Sequence, residues 1–211
     1  FSAGDRVVLD QGLNCVSLRR PERCEYCDTG HSHHCEHFRE YGITGIPGGL
    51  AEYLAIPDVN VLKLESDLEP AFAAMTEPLG CVIHAMDAVH RATTRYRLDA
   101  TNDRDRVRNI LLTGAGPAGL LFVQVLRNML GYEGRIIVSD PTPLKRERAA
   151  ALGADVVDPS EEGLIERVDE MTGGRRVELM IEASGCGPLF HQIPGLIRKQ
   201  ATILLYGFGH G

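Results

Sequence analysis

Ile110-Leu111-Leu112-Thr113 running into Gly114-Ala115-Gly116-Pro117-Ala118-Gly119 is the stretch on which the fold turns. A short apolar run ends in a G-x-G-x-x-G loop, and Pro117 opens a helical pattern over 117–130. Strand, loop and helix in that order are the setting in which such a loop binds a dinucleotide. The first glycine permits a tight turn, the second lets backbone N–H groups approach a pyrophosphate, and the third lets helix and strand pack closely; the helix N-terminus adds partial positive charge. Asp140 ends the next strand, 21 residues beyond Gly119. There a carboxylate accepts both hydroxyls of an adenosine ribose and repels a 2′-phosphate, which favours NAD over NADP. The alternative assigns the glycines to a plain strand-to-helix turn and Asp140 to capping the next element.

Working outward, the alternation continues through the C-terminal half. Strands are expected at Arg135–Ser139, 155–157, 177–183 and 201–206, with helices over 144–152, 161–171 and 189–198. This order builds an α/β fold, a doubly wound parallel sheet with helices on both faces. Upstream, 1–64 reads as short strands and loops: Arg6-Val7-Val8-Leu9, a strand at 50–56 between Gly48-Gly49 and Pro57, and Val61-Leu62-Lys63-Leu64. Ala71, Phe72, Ala74, Met75, Leu79, Val82, Ile83 and Met86 then recur at helical spacing, and Pro78 is expected to end one helix and open the next. Residues 91–108 hold six Arg, which could suggest a phosphate-binding patch. The interspersed Asp99, Asp103 and Asp105 instead favour an exposed linker.

The 211 residues carry 29 acidic against 22 basic side chains, a net charge of -7, which opposes non-specific binding to nucleic acid or anionic membrane. No apolar run approaches the roughly 18 residues that a membrane span needs. The opening Phe1-Ser2-Ala3-Gly4-Asp5 lacks the charged and apolar regions of a signal peptide, so a cytoplasmic location is expected. In that reducing compartment six cysteines call for an explanation other than disulfides.

Four of the six crowd together: Cys15, Cys24, Cys27 and Cys35. Cys24-x2-Cys27-x7-Cys35 has the close spacing of a thiolate lobe, and zinc suits soft thiolates in a closed tetrahedral site. The fourth ligand is Cys15 or one of the nearby His31, His33, His34 and His37, with Cys15 favoured because four-cysteine sites are a common structural type. Those histidines could also form a second metal site, although solvated loop side chains are the simpler reading. Cys81 and Cys186 stand alone and read as ordinary buried thiols.

Glycine loop and cysteine lobe on one chain resemble the zinc-dependent medium-chain dehydrogenases of the alcohol dehydrogenase superfamily, in the branch of sorbitol, glucose, threonine and inositol-derivative dehydrogenases. Gly4-Asp5-Arg6-Val7, Gly48-Gly49-Leu50-Ala51-Glu52-Tyr53, Glu77-Pro78-Leu79 with His84-Ala85, and Glu182-Ala183-Ser184-Gly185 all match family segments in the expected order. The resemblance implies a partial, mainly-β GroES-like catalytic domain over 1–90 with a structural zinc lobe at 15–35. It further implies a linker at 91–108 and an NAD-binding Rossmann domain over 109–211 that lacks its last strand. It puts structural zinc on Cys24, Cys27 and Cys35. The family's first cysteine position holds Pro21 here, so Cys15 serves from across an insertion. Glu77 falls where the branch places a carboxylate at the catalytic zinc, as ligand or facing the bound water; on spacing alone it reads as an N-terminal helix carboxylate. Asp140 and Lys145 match the adenosine-ribose contacts, Ala118 the pyrophosphate contact, and Tyr206, Gly207 and Phe208 the nicotinamide end.

The implied activity is zinc-assisted, NAD-dependent oxidation of a small secondary alcohol to a ketone, in a homodimer or homotetramer. The family's remaining catalytic zinc ligands lie in motifs upstream of the G-D-R-V strand, and neither His84 nor His210 matches one. The chain is therefore expected to be an internal fragment of a longer enzyme, with a non-catalytic nucleotide- and zinc-binding piece as the alternative.

Overall fold

The computed structural model describes residues 1–161 and 163–209. The chain divides into two compact units after Glu77, inside the first turn of a helix, rather than at the boundary expected after residue 90.

The first unit is built from short antiparallel pairs. Strand β1 (Val7–Leu9) pairs with β4 (Val61–Lys63), Val8 opposite Leu62, and β2 (Gly12–Leu13) pairs with β3 (Arg39–Glu40). Buried Asn60 fastens these pieces: its Nδ2 donates to the carbonyls of Asp10 and Gly12 at 2.9 and 2.6 Å. The strand expected at 50–56 does not form. Leu50 and Tyr53 are almost fully exposed, and a largely apolar stretch without a partner ladder does not hold a strand. A four-residue helix, α1 (Glu25–Asp28), lies in the cysteine-rich loop, and α2 (Pro70–Ala73) precedes α3 (Thr76–Arg91). Pro78 does not separate these two helices. It sits in the first turn of α3, where a missing N–H costs nothing, and the break falls earlier, where Thr76 Oγ1 donates to the Ala73 carbonyl at 2.7 Å.

The second unit is a five-stranded parallel sheet. Its strands are β5 (Asn109–Thr113), β6 (Arg135–Ser139), β7 (Asp155–Val157), β8 (Val177–Glu182) and β9 (Ile197–Leu205), in spatial order β7-β6-β5-β8-β9. Every residue of β5 and β8 is buried, as expected where helices cover both faces. Alternation sorts the core: Ile110 and Leu112 pack with Val82, Met86 and Phe122 on one face, Leu111 with Val168, Met180 and Leu196 on the other. The first face is covered by α3, α4 (Pro117–Gln124) and α5 (Pro143–Ala151), the second by α6 (Leu164–Thr172) and α7 (Ile193–Leu196). The helix expected over 117–130 widens into a π turn, Val125–Met129.

Three expectations change here. Residues 91–108 do not form a free linker, because Tyr96 and Val107 are buried in the sheet core and Arg97 bridges to Arg106. Their charges pair outward, Arg97 with Asp99 at 2.9 Å and Arg108 with Asp103 at 3.8 Å, which leaves the arginines solvated beside acids. The helix expected over 189–198 is shortened to a 3-10 turn, Gly187–His191, and α7, since β9 already starts at Ile197 and bends at Gln200, where φ is 68°. The helix expected over 161–171 starts at Leu164; Glu162 within it, and His210 and Gly211 near the terminus, lie outside the described residues. Among the described residues no helix is long and apolar enough to cross a membrane.

Candidate cofactor and metal sites

The glycine loop leaves β5 at its C-terminal end, between β6 and β8, where the order of an open parallel sheet reverses and ligands bind. Gly114 has φ of 95°, and a Cβ there would stand 2.9 Å from the Ala183 carbonyl oxygen, so the turn is closed to other residues. Gly119 is required by close approach: a Cβ would run into the carbonyl oxygen of Gly114 and stand 3.2 Å from Leu112. Pro117 occupies the first turn of α4, followed by Ala118, so the helix starts directly above the loop.

Asp140, at the end of β6, is buried. Its Oδ2 accepts the Ala115 N–H and its Oδ1 the Thr142 N–H, both at 2.8 Å, with Lys145 Nζ 3.8 Å away. A carboxylate has four acceptor positions, so two remain beyond these backbone bonds. Arg146, which the sequence reading did not single out, donates to the Asp140 carbonyl at 2.7 Å and pairs with Asp158 at 2.7 Å. The Ser160 backbone N–H, with help from Arg146, holds the Asp158 carboxyl below the usual carboxylate range.

Gly114, Gly116, Asp140, Thr142 and Lys145 line one cavity of about 550 Å³, a size suited to a small-molecule ligand. Thr113 on its wall has a buried Oγ1 with no hydrogen-bond partner. Tyr206, Gly207 and Phe208 are not among the residues that line this cavity. Tyr206 and Gly207 donate N–H groups to the Glu182 carbonyl at 2.9 and 2.8 Å, and Phe208 is largely exposed. The Glu182 side chain is fully buried: Oε1 accepts from Ser184 N–H and Oγ and from Gly185 N–H, while Oε2 has no partner. In the sequence, Glu182 enters only as part of the Glu182-Ala183-Ser184-Gly185 segment, and an acid closing the apolar run Leu179-Met180-Ile181 was the available signal for it.

In the first unit the four cysteines converge. Cys15, Cys24, Cys27 and Cys35 are buried, their sulfurs all within 4.8 Å of one another, with Cys15–Cys35 at 3.6 Å and Cys24–Cys35 at 3.8 Å. Thiolates bound tetrahedrally at about 2.3 Å from zinc stand about 3.8 Å apart, so the set fits that ion. Cys24 caps α1 in extended geometry and Cys27 lies inside it, which brings both sulfurs to one point. Asn14 shapes the Cys15 turn by accepting the N–H groups of Val16 and Ser17 at 2.9 and 3.0 Å. Backbone N–H groups of Cys27 and Glu36 pull the Cys24 thiol down to about 7, and burial pushes the Cys27 thiol up to about 12. His31, His33, His34 and His37 are exposed and fall outside the four-sulfur group.

Glu77, the second residue of α3, accepts from Gln11 Nε2 at 3.0 Å and is not among the cysteines. Cys81 and Cys186 are exposed rather than buried, because α3 turns Cys81 away from the core and the turn after β8 leaves Cys186 on the cavity wall.

Comparison with known proteins extends over the whole chain. Residues 1–66 match the alcohol dehydrogenase GroES-like domain and residues 117–211 the zinc-binding dehydrogenase family. L-threonine 3-dehydrogenase of Pyrococcus abyssi is 32% identical across 100% of this chain and 54% of its own length. Sorbitol dehydrogenase of Halalkalibacterium halodurans is 28% identical across 98% and 55%. Among solved structures, alcohol dehydrogenase TADH from Thermus sp. ATN1 superposes with TM-score 0.78 and 25% identity, over 100% of this chain and 57% of that one. A short chain alcohol dehydrogenase from E. coli CFT073, complexed with cofactor NADH, gives 0.77 and 27%, over 99% and 55%. The chain thus spans about half the length of the curated relatives it matches.

Proposed function

Since the chain belongs to the medium-chain alcohol dehydrogenase superfamily, we propose that it serves the NAD-dependent oxidation of a secondary alcohol (a polyol, sugar or amino-alcohol) to a ketone, within a protein of the relatives' length. The observation that carries this is the joint presence of a four-sulfur cluster with zinc geometry and a glycine-loop cavity walled by a buried acid. A catalytic zinc, distinct from the closed cysteine site, would supply Lewis acidity toward an alcohol oxygen, and bound NAD a hydride acceptor.

The chain's own residues bind and position. Cys15, Cys24, Cys27 and Cys35 use all four tetrahedral positions, so they brace the lobe and leave no open position for substrate. Gly114 and Gly116, with the start of α4 at Pro117, Ala118 and Gly119, present backbone N–H groups to a pyrophosphate. Asp140 accepts the ribose hydroxyls, with Lys145 beside it, and its charge excludes a 2′-phosphate. Tyr206, Gly207 and Phe208, pinned to the Glu182 carbonyl through two N–H groups, offer backbone to the nicotinamide end. Glu77, held by Gln11, would contribute a carboxylate toward a catalytic zinc.

A second reading makes these residues a nucleotide- and zinc-binding segment without turnover. It is favoured by the closed character of the cysteine cluster, the one metal-capable group of three or more side chains among the described residues. Titration with NAD and NADP, then NAD reduction over a panel of polyols, sugars and amino-alcohols, tests both. Tighter binding of NADP would refute the role of Asp140. Turnover by the 211 residues alone would dismiss the second reading.

A further inference from the structure

The glycine-loop cavity carries a thiol that neither the nucleotide reading nor the cysteine lobe uses. Cys186 is exposed, yet it lines the same cavity as Gly114, Gly116, Asp140 and Thr142. Its backbone is held there by a relay: Cys186 N–H donates to Ser184 Oγ at 3.1 Å, and that hydroxyl donates to buried Glu182 Oε1 at 2.5 Å. Thr113, whose buried Oγ1 has no hydrogen-bond partner, is a further residue of the same wall. The remaining thiols are placed differently. Four are buried in the cysteine lobe, and Cys81 is exposed on α3, away from this cavity.

We propose that Cys186 is a modification site for low-molecular-weight disulfides, and that its mixed disulfide and a bound dinucleotide exclude each other. The inference rests on the reading of the cavity as a dinucleotide site. The step is thiol–disulfide exchange. Cys186 gives up its proton and its sulfur attacks one sulfur of the small disulfide; the original S–S bond breaks and the other half leaves as a thiolate that takes a proton. Cys186 is oxidised to the mixed disulfide while the departing half is reduced, so no further oxidant enters. The added group then projects from the wall of a cavity of about 550 Å³ and occupies space that a dinucleotide needs. Exclusion is reciprocal: whatever factor modification removes from nucleotide affinity, nucleotide removes from the tendency to be modified.

The test uses the unmodified 211-residue chain loaded with zinc. NADH binding is titrated by fluorescence, and modification by an aromatic disulfide that releases a coloured thiolate is followed with peptide mass mapping of each cysteine. NADH at about ten times its Kd should slow modification of Cys186 about ten-fold while leaving Cys81 unchanged. Protein first treated with oxidised glutathione should bind NADH at least about ten-fold more weakly, and dithiothreitol should restore the affinity. Cys186→Ser should bind NADH equally before and after that treatment. If NADH binds and Cys186 still reacts at its original rate, the inference fails and the dinucleotide reading stands. If NADH does not bind at all, both fall together.

Discussion

Around Cys15, Cys24, Cys27 and Cys35 the buried apolar cluster consists of the four thiols, with Val16 and Phe38 packed against them, whereas the sheet unit buries long aliphatic side chains on both faces of β5, β6 and β8. The two regions therefore owe their order to different forces. Removing apolar surface from water stabilises the sheet unit without help from any ligand. The lobe gathers four thiols that gain little from one another, and its order is linked to the ion they fit.

The largest test of that contrast is metal removal. Chelation, or Cys27→Ser, should take zinc from about one per chain toward zero. It should unfold the lobe, because structural zinc contributes about 10–16 kcal/mol in comparable sites. Amides of 14–38 should then exchange quickly while those of β5 and β8 stay protected; equal protection in the metal-free lobe would erase the contrast. Next in size, Ile181→Ala, at a fully buried sheet position, should cost about 2–5 kcal/mol in urea unfolding of the sheet unit and leave zinc content alone. A smaller effect is expected from Gly119→Ala, whose methyl must displace the Gly114 carbonyl: about 1–3 kcal/mol of stability, with a disproportionate fall in NADH affinity. Retained affinity in that variant would show that the loop is a structural turn only. The smallest change is Asp140→Ala, which should narrow the preference for NAD over NADP by about ten-fold, the worth of one hydrogen bond to a charged group. An unaltered ratio of the two dissociation constants would remove Asp140 from cofactor choice.

Legibility from sequence followed the same division. In the sheet unit, continuous apolar runs such as Ile110-Leu111-Leu112 and the glycine loop between strand and helix placed β5, β6, β7 and the start of α4 to within a residue or so, because periodicity and turn chemistry agree there. The misreadings come where local pattern and tertiary partner part company. Leu50 and Tyr53 belong to a largely apolar stretch that reads as a strand, and they remain exposed without a ladder. Residues 91–108 look like a solvated linker by charge, yet Tyr96 and Val107 are drawn into the core. Pro78 reads as a helix breaker, but position within the first turn makes it harmless. Nothing in the residue types distinguished Cys81 and Cys186 from buried thiols; a lone cysteine has no periodic partner to reveal which way it faces.

By itself the sequence determined the family, the parallel α/β class, the glycine loop with Asp140, and the metal-like spacing of Cys24, Cys27 and Cys35, since each depends on residues near one another along the chain. Only the tertiary structure decided that Cys15 completes the sulfur set, that Thr113 and Glu182 keep unpartnered oxygens beside the loop, and that Cys186 opens onto its cavity. Those facts arise from segments far apart in the chain meeting at the ends of strands and in a folded loop. Spacing along a sequence carries no information about such meetings until the backbone has brought them about.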